Sequence, residues 1–409
     1  MCCTFYYDQL AGRINPMLYS HESEATKRQA RRNSTSLKRL ILVIFAGLMS
    51  TCLPHFPSSC QRLQHMLSIL LLVCASGCVM HQPTLPIMFQ TAQTLDGRTL
   101  PPHREYWNAF RKPSQFNATG LYLLEPYQQG RIPLVLIHGL ASDALTWQEM
   151  IAALRSDPNI ATRYQIWVYQ YPTGNPYLKA AADLRRELLK IRTVLDPSSR
   201  DPAFDQTVLV GHSMGGIVAR LQVSYSDDRL WHAVSDAPLS TVFESGPLPD
   251  ETVSALLFEP VPYVKKVVYL ATPHHGSSWT EQPLGKLGRW LIEVPQQVEE
   301  EYAGLIRGNP GLFRNPADKP PTSLDHLSPG NSIMRATSQL RCSGLVSTHS
   351  IIGTGYLLPD AHIGDGIVAL PSARIPSVQT EFFVQATHSG ILRNPAAAAE
   401  LMCILTRFQ

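Results

Sequence analysis

The 409-residue chain is short of charge. Asp, Glu, Lys and Arg make up only 16% of it, and 35 basic residues nearly balance 32 acidic ones, for a formal net charge of +3. This balance gives no basis for a nucleic-acid partner, which needs a clustered basic face. The chain also lacks internal repeats and proline-rich low-complexity tracts, although it contains 32 prolines. Because 44% of the residues are hydrophobic and 8% aromatic, we expect a packed core in one large or two ordinary domains.

Long apolar runs are missing as well. The runs at 40–49 and 66–79 are both shorter than the ~20 residues that a membrane-spanning helix needs, and each is typical of the apolar region of a secretory signal. The second run ends in Ala75-Ser76-Gly77-Cys78, which resembles a bacterial lipobox, where the cysteine becomes lipid-modified and N-terminal. A buried helix with a coincidental cysteine is the alternative. We therefore predict a leader over 1–79, with a working start at Met49 or Met66, and a tether over 80–118.

Cysteine is scarce after the leader. Six of the eight cysteines lie within 1–79, and only Cys342 and Cys403 follow. After export these two could form a disulfide or remain as buried free thiols. No cysteine or histidine spacing is typical of a metal site, and no G-x-G-x-x-G turn indicates a dinucleotide, so neither a metal nor a cofactor is predicted.

From residue 119 onward strand and helix patterns alternate. Strands are predicted at 120–124, 132–137, 164–171, 207–210, 265–270, 348–352 and 381–386, and helices at 143–155, 177–195, 214–225 and 395–408. The first two strands are separated by the turn-rich segment 126–130 and are expected to be neighbours. This alternation favours a doubly wound, mostly parallel α/β sheet whose catalytic groups lie at the carboxyl ends of the strands. Two insertions, about 226–263 and 278–344, exceed ordinary loops of ~2–6 residues. We expect them to form a cap whose apolar side chains line an acyl-binding cleft or only seal the cap onto the sheet.

The segment Gly211-His212-Ser213-Met214-Gly215 lies between an apolar strand and a helical pattern. Such a G-x-S-x-G turn presents its serine on a sharp strand-to-helix bend, where the glycines remove side chains that would clash. The Met214 amide, at the helix start, would face developing negative charge. Ser213 is therefore the predicted nucleophile.

Together with three other segments, this turn resembles the α/β-hydrolase superfamily, and in particular its bacterial lipase and esterase branches. The other segments are 133–140 (PLVLIHGL), 363–368 (IGDGIV) and 386–390 (ATHSG). The resemblance covers 132–408 and implies that Ser213, Asp365 and His388 form a catalytic triad. It also implies that the backbone amides of Leu140 and Met214 form an oxyanion hole.

Other polar residues compete for these roles. His349 and His362 are alternatives for the base, Asp360 and Asp325 for the acid, and His138 is expected to brace the loop that carries Leu140. His274 and His275 resemble a loop of the family that shapes the floor of the pocket. A zinc site at these two histidines is disfavoured, because no further ligand follows at a suitable spacing.

The predicted function is that of an exported, lipid-anchored serine hydrolase of the bacterial envelope, in the periplasm or at the outer membrane. It would cleave carboxylic esters with apolar acyl or lipid groups through an acyl-enzyme. An acyltransferase or an amidase could use the same triad, and a catalytically silent scaffold that binds in the envelope is a further alternative.

Overall fold

The computed structural model describes residues 85–240, 248–314, 316–358, 361–376 and 378–407. The leader prediction with its lipobox at Cys78, and the alternative acid Asp360, lie outside these ranges.

Seven strands form one central sheet. They are β1 (Gly120–Leu123), β2 (Ile132–Ile137), β3 (Tyr164–Gln170), β4 (Thr207–His212), β5 (Val264–Leu270), β6 (Ser347–Thr354) and β7 (Thr380–Gln385). Their order across the sheet is β1-β3-β2-β4-β5-β6-β7. All neighbours are parallel except β1, which pairs antiparallel with β3. The predicted doubly wound, mostly parallel sheet is confirmed.

The central strands are buried along their whole length, as expected where helices cover both faces of a parallel sheet. Their side chains alternate between the two faces. In β2, Val135 and Ile137 belong to one buried apolar cluster, and Leu134 and Leu136 belong to the other. The alternation with a period of two therefore gives each face its own core.

Helices cover both faces. The first cluster includes side chains of the Tyr177–Leu195 and Met214–Arg220 helices, and the second includes those of the Gln148–Ser156 and Pro395–Arg407 helices. Further helices are Pro158–Arg163, Arg229–His232, Asp250–Leu256, Pro283–Leu291, Gln296–Gly308, Ser323–His326, Ser332–Ser338 and Leu370–Ala373. Two small ribbons complete this part of the chain, one pairing Ser224–Tyr225 with Arg341–Cys342 and the other Tyr356–Leu357 with Ile363–Gly364.

The tether predicted over 80–118 is corrected for its described part. Residues 85–118 form short helices at Ile87–Gln90 and Tyr106–Arg111 and 3₁₀ turns at His103–Glu105 and Pro113–Gln115. Phe89 and Leu100 are buried in the second cluster, beside residues of the sheet. This segment is part of the folded domain because its few apolar side chains are covered by the sheet and its helices.

Two smaller expectations also change, and one open alternative is resolved. The strands at 120–124 and 132–137 are not neighbours, since β3 lies between them. The helix predicted over 214–225 ends at Arg220, and residues 224–225 pair as a strand instead. Cys342 and Cys403 are both free thiols and do not form a disulfide.

Candidate active site

Ser213 lies at the end of β4, where the chain turns into the Met214–Arg220 helix. Its backbone angles are φ 55° and ψ −127°, a strained conformation for a residue with a side chain. A Cβ at Gly211 would lie 2.4 Å from the Gly215 carbonyl oxygen, and one at Gly215 would lie 2.3 Å from the Ile137 carbonyl oxygen. Only glycine fits at these two positions, so the tight bend fixes Ser213 at the carboxyl end of the sheet.

The structure brings together three side chains that are far apart in the sequence. Nε2 of His388 lies 2.8 Å from Oγ of Ser213, and Nδ1 of His388 lies 2.7 Å from Oδ2 of Asp365. A carboxylate can only accept, so Nδ1 carries the proton that is donated to Asp365 and Nε2 is left with a lone pair. Nε2 can therefore accept the hydroxyl proton of Ser213.

Asp365 is buried, with 3% of its surface exposed, and both of its carboxylate oxygens accept hydrogen bonds. Oδ1 accepts hydrogen bonds from the amides of Ile367 (2.9 Å) and Val368 (2.7 Å), while Oδ2 faces His388. Burial by itself favours the neutral acid, but the charge of His388 and these hydrogen bonds outweigh it and lower the pKa of Asp365. The carboxylate is thus held ionised and in a fixed orientation.

His212 supports the backbone of His388. Its Nε2 lies 2.9 Å from the His388 carbonyl oxygen, so Nε2 is the donor, and the His388 amide donates to the Asp365 carbonyl oxygen at 3.0 Å. Burial, together with the nearby charge of His388, lowers the pKa of His212 to about 3. His212 is therefore neutral near pH 7 and holds the loop of the base without adding a competing positive charge.

The loop at 139–144, here called the oxyanion loop after the role predicted for Leu140, follows β2 and contacts Ser213. A Cβ added at Gly139 would lie 2.9 Å from Cβ of Ser213, so the residue before Leu140 is in close contact with Ser213. The amide of Ala141 donates to Oγ1 of Thr173 at 3.1 Å, and that of Ala144 to Oε1 of Gln170 at 2.9 Å. Within the described ranges no acceptor is recorded for the amide of Leu140 or of Met214.

The histidines that compete for the role of the base lie away from Ser213 or make structural contacts. His138 is buried and stacks on Tyr171, with ring centroids 4.4 Å apart, and burial lowers its pKa to about 4. His349 lies near the amino end of β6, with Nδ1 2.8 Å from Oγ1 of Thr380, at the opposite end of the sheet from Ser213. His362 is exposed in the ribbon near Asp365.

The remaining candidates also have structural contacts. Asp325 completes a capping box with Thr322 and pairs with Arg289 at 3.2 Å. His274 is buried with its ring 4.7 Å from that of Tyr269, and burial and the charge of Arg220 lower its pKa well below the usual value. In the described part of the chain, no group of three or more His, Cys, Asp or Glu side chains could hold a metal ion.

Most apolar side chains of the cap pack onto the fold. Trp231, Leu256 and Phe258 are buried in the first cluster, whereas Trp290 is 79% exposed. Trp279 and Ile292 instead join a separate cluster with Phe110 and Leu324, and Leu140 packs against it. We call this group the Leu140 cluster. It places apolar side chains beside the oxyanion loop.

Several contributors to the site were not predicted. Gly139 is small because Ser213 lies against it, and Tyr171 donates from its hydroxyl to the His138 carbonyl oxygen at 2.7 Å. The sequence did contain a signal for the role of Gly139, because the His138-Gly139 pair had already been assigned to the oxyanion loop. Residues 103–112 gave no comparable sequence signal.

None of the helices in the ranges that the structure covers is both long enough and apolar enough to span a bilayer.

Comparison with known proteins gives low similarity at the level of whole structures. A Bacillus licheniformis lipase (BlEst2, mature form) is 17% identical with a TM-score of 0.39, over 69% of this chain and 95% of the lipase. A Staphylococcus hyicus lipase is 12% identical with a TM-score of 0.42, over 69% of this chain and 97% of the lipase. The phospholipase PlaB from Legionella pneumophila is 14% identical with a TM-score of 0.42, over 68% of this chain and 60% of that protein.

No curated protein matches the sequence. The family assignment rests instead on a family model described as "Alpha/beta hydrolase family", which matches residues 134–401 and therefore more than half of the chain. The matched region contains Ser213, Asp365 and His388, and the sheet around it has the expected topology. The chain belongs to the alpha/beta hydrolase family.

Proposed function

We propose that this protein is a serine hydrolase that cleaves carboxylic esters through an acyl-enzyme. The observation that carries the proposal is the continuous hydrogen-bonded line from Ser213 Oγ through His388 to Asp365, at 2.8 and 2.7 Å. A serine hydroxyl is a weak nucleophile unless an adjacent base accepts its proton. This arrangement supplies the base and the carboxylate that orients it.

In the first half of the reaction, Oγ of Ser213 attacks the ester carbonyl carbon while Nε2 of His388 takes the hydroxyl proton. The imidazolium is stabilised by Asp365, whose other carboxylate oxygen accepts from two backbone amides. His388 then protonates the leaving alcohol, and the acyl group stays on Ser213. In the second half, His388 takes a proton from the water that attacks the acyl-enzyme, and returns this proton to Oγ of Ser213 as the acid is released.

The tetrahedral intermediate needs donors for its negative oxygen. We assign the amides of Leu140 and Met214 to this role, because Gly139 adjoins Ser213 and Met214 begins the helix that follows it. A helix start adds a favourable dipole for the anion. One such donor contributes ~3 kcal/mol to the transition state in comparable enzymes.

The substrate we propose is an ester with an apolar acyl group or a lipid ester. The Leu140 cluster supports this proposal, because it places aromatic and aliphatic side chains beside one of the two assigned oxyanion donors. Apolar walls with a few fixed polar groups are typical of sites that take up apolar ligands.

Export and anchoring are a separate proposal that rests on the sequence at 66–79. Lipid attachment at Cys78 would hold the enzyme at the membrane of a bacterial envelope, close to lipid esters. Mass spectrometry of the mature N-terminus tests it: a diacylglyceryl-modified Cys78 supports the anchor, and an unmodified residue other than Cys78 at the N-terminus refutes it.

The decisive experiment on the activity is labelling by a fluorophosphonate, which reacts with activated serines. We expect the full chain to be labelled and to hydrolyse p-nitrophenyl esters, and Ser213→Ala to lose both properties. Equal labelling of Ser213→Ala would reject the nucleophile, and absence of labelling in the wild type would favour the silent scaffold.

The acyl preference is read from p-nitrophenyl esters of increasing chain length. A preference for longer chains supports the apolar site, whereas a steep preference for acetyl contradicts it. Product analysis with added alcohol acceptors and with matched anilides then separates hydrolysis of esters from acyl transfer and from amide cleavage.

A further inference from the structure

Residues 103–112 contact both the oxyanion loop and the cap. This stretch consists of the His103–Glu105 turn and the Tyr106–Arg111 helix, with Lys112 following. We call it the N-terminal clasp. It precedes the region matched by the family model, which begins at residue 134.

The first contact is a hydrogen bond at the end of the oxyanion loop. Nδ1 of His103 lies 2.6 Å from Oδ2 of Asp143. Asp143 is buried, and its Oδ1 accepts from the Leu145 amide at 3.1 Å. The His103 ring stacks on Tyr106 with centroids 4.8 Å apart, which fixes its orientation. The hydrogen bond to Asp143 raises the pKa of His103 against the opposing effect of burial. The loop end is thus held by an oriented hydrogen-bonding partner from the clasp, whose protonated form Asp143 favours.

The second contact is apolar and lies at the other end of the loop. Phe110 is 4% exposed and is the clasp's member of the Leu140 cluster. The clasp backbone also approaches Gly174, whose amide donates to the Ala109 carbonyl oxygen at 3.2 Å. A Cβ at Gly174 would lie only 2.1 Å from the Phe110 carbonyl oxygen, so no side chain fits between the two segments. Residue 174 directly follows Thr173, which accepts from the amide of Ala141.

The third contact is with the cap. Arg111 pairs with Glu293 at 2.8 Å and Lys112 with the same carboxylate at 3.3 Å. The Glu293 amide donates to the Arg111 carbonyl oxygen. Ile292, the neighbour of Glu293, belongs to the Leu140 cluster. The clasp therefore contacts the oxyanion loop directly at Asp143, shares the Leu140 cluster with its other end, and joins both to the cap.

We propose that His103 and Phe110 are positioning residues, which hold the oxyanion loop so that the Leu140 amide faces the site where the substrate's negative oxygen forms. The inference rests on the proposed function, because it assumes that Leu140 is an oxyanion donor. Neither residue touches the reacting atoms. Their effect should appear in the transition state and not in ground-state binding, since a displaced donor weakens only the interaction with the developing anion.

The test compares His103→Leu with His103→Gln, whose amide can still donate to Asp143. Asp205→Leu is a matched control, because it also removes a half-exposed partner of a mostly buried charged group, Arg192 at 2.9 Å, but at the amino end of β4. For each variant kcat and KM are measured with a p-nitrophenyl ester, together with the inhibition constant of an arylboronic acid, which forms a tetrahedral adduct on serine.

We expect His103→Leu to lower kcat and to weaken boronic acid binding by similar factors of about tenfold, since misplacement of a donor by a fraction of an ångström has effects of this order. KM should stay unchanged, His103→Gln should restore most of the loss, and Asp205→Leu should retain the wild-type kcat. Phe110→Ala should act in the same direction as His103→Leu, with partial recovery in Phe110→Leu.

The proposal is overturned if His103→Leu keeps the wild-type kcat, if it changes only KM, or if its loss is matched by Asp205→Leu. A failure of the proposed function itself is seen earlier and separately, as a wild-type chain that is neither labelled at Ser213 nor active on esters.

Discussion

Gly139→Ala probes the contact between the oxyanion loop and the nucleophile most directly. The new Cβ would lie 2.9 Å from Cβ of Ser213, and 3.2 Å from both Nδ1 and the carbonyl oxygen of His212. Ordinary contacts at a Cβ begin at 3.4 Å, so the loop must move away from Ser213 by about 0.5 Å. None of these three atoms is the far end of a flexible side chain, so the strain cannot be relieved by a rotamer change.

The expected result is a loss of kcat by a factor of ~10 to 100, because a displacement of ~1 Å at a catalytic group can cost about 100-fold. The substituted position adjoins Leu140, so the displacement is passed directly to an assigned oxyanion donor. The measurement is kcat on a p-nitrophenyl ester together with the rate of fluorophosphonate labelling, with near-UV circular dichroism to verify that the fold is retained.

Gly304→Ala is the matched control. Gly304 lies in the Gln296–Gly308 helix, where a Cβ would meet nothing within 4 Å. There the substitution should leave kcat unchanged and raise the free energy of unfolding by up to ~1 kcal/mol, as expected for Gly to Ala inside a helix. A folded Gly139→Ala protein with the wild-type kcat would refute the reasoning about the loop.

Three further predictions concern the polar groups. Asp365→Asn should lower kcat by ~10⁴-fold, because the amide cannot orient the base, while Asp360→Asn should leave kcat unchanged; equal losses would contradict the assignment of the acid. His212→Leu should lower kcat with little change in KM, because it removes the hydrogen bond to the His388 carbonyl oxygen, and His212→Gln should recover activity; no difference between the two would contradict the supporting role. Burial lowers the pKa of His326 to about 4 from 6.5, so below pH 6.5 the unfolded chain binds a proton that the folded chain does not. As the pH falls from 6.5 to 4, the contribution of His326 to the free energy of unfolding should therefore fall by ~1.4 kcal/mol per pH unit. Urea unfolding at several pH values measures how the free energy of unfolding depends on pH. This dependence should be weaker in His326→Gln than in the wild type, and unchanged in a Gln variant of the exposed His232.

The sequence predicted the parts of the fold that repeat a local pattern. β2 and the Tyr177–Leu195 helix have the predicted bounds, because a continuous apolar run and a helical period each identify a buried element without reference to its partner. The residues now seen around Ser213 were predicted through motifs at strand ends, where the topology of a parallel sheet brings distant segments together.

What the sequence did not predict depends on contacts between distant segments. The clasp is built from short helical turns, and Phe110 is buried only because Ile292 and Leu324 cover it. Nothing in the residues near His103 indicates that its partner is Asp143, 40 positions later. In the same way, the position of β3 between β1 and β2 depends on how the chain crosses over the sheet. The turn-rich connection at 126–130, which joins β1 to β2, contains no sign of this crossover.

The strand order also bears on how the protein is made. Ser213 follows β4, the middle strand of the sheet. Asp365 and His388 follow β6 and β7, which are the two outermost strands on one side and come last along the polypeptide. During synthesis, a ribosome-bound chain that already contains the serine has neither partner, so it has no means of removing the hydroxyl proton. The three proposed catalytic groups can therefore meet only after both of these outer strands have joined the sheet.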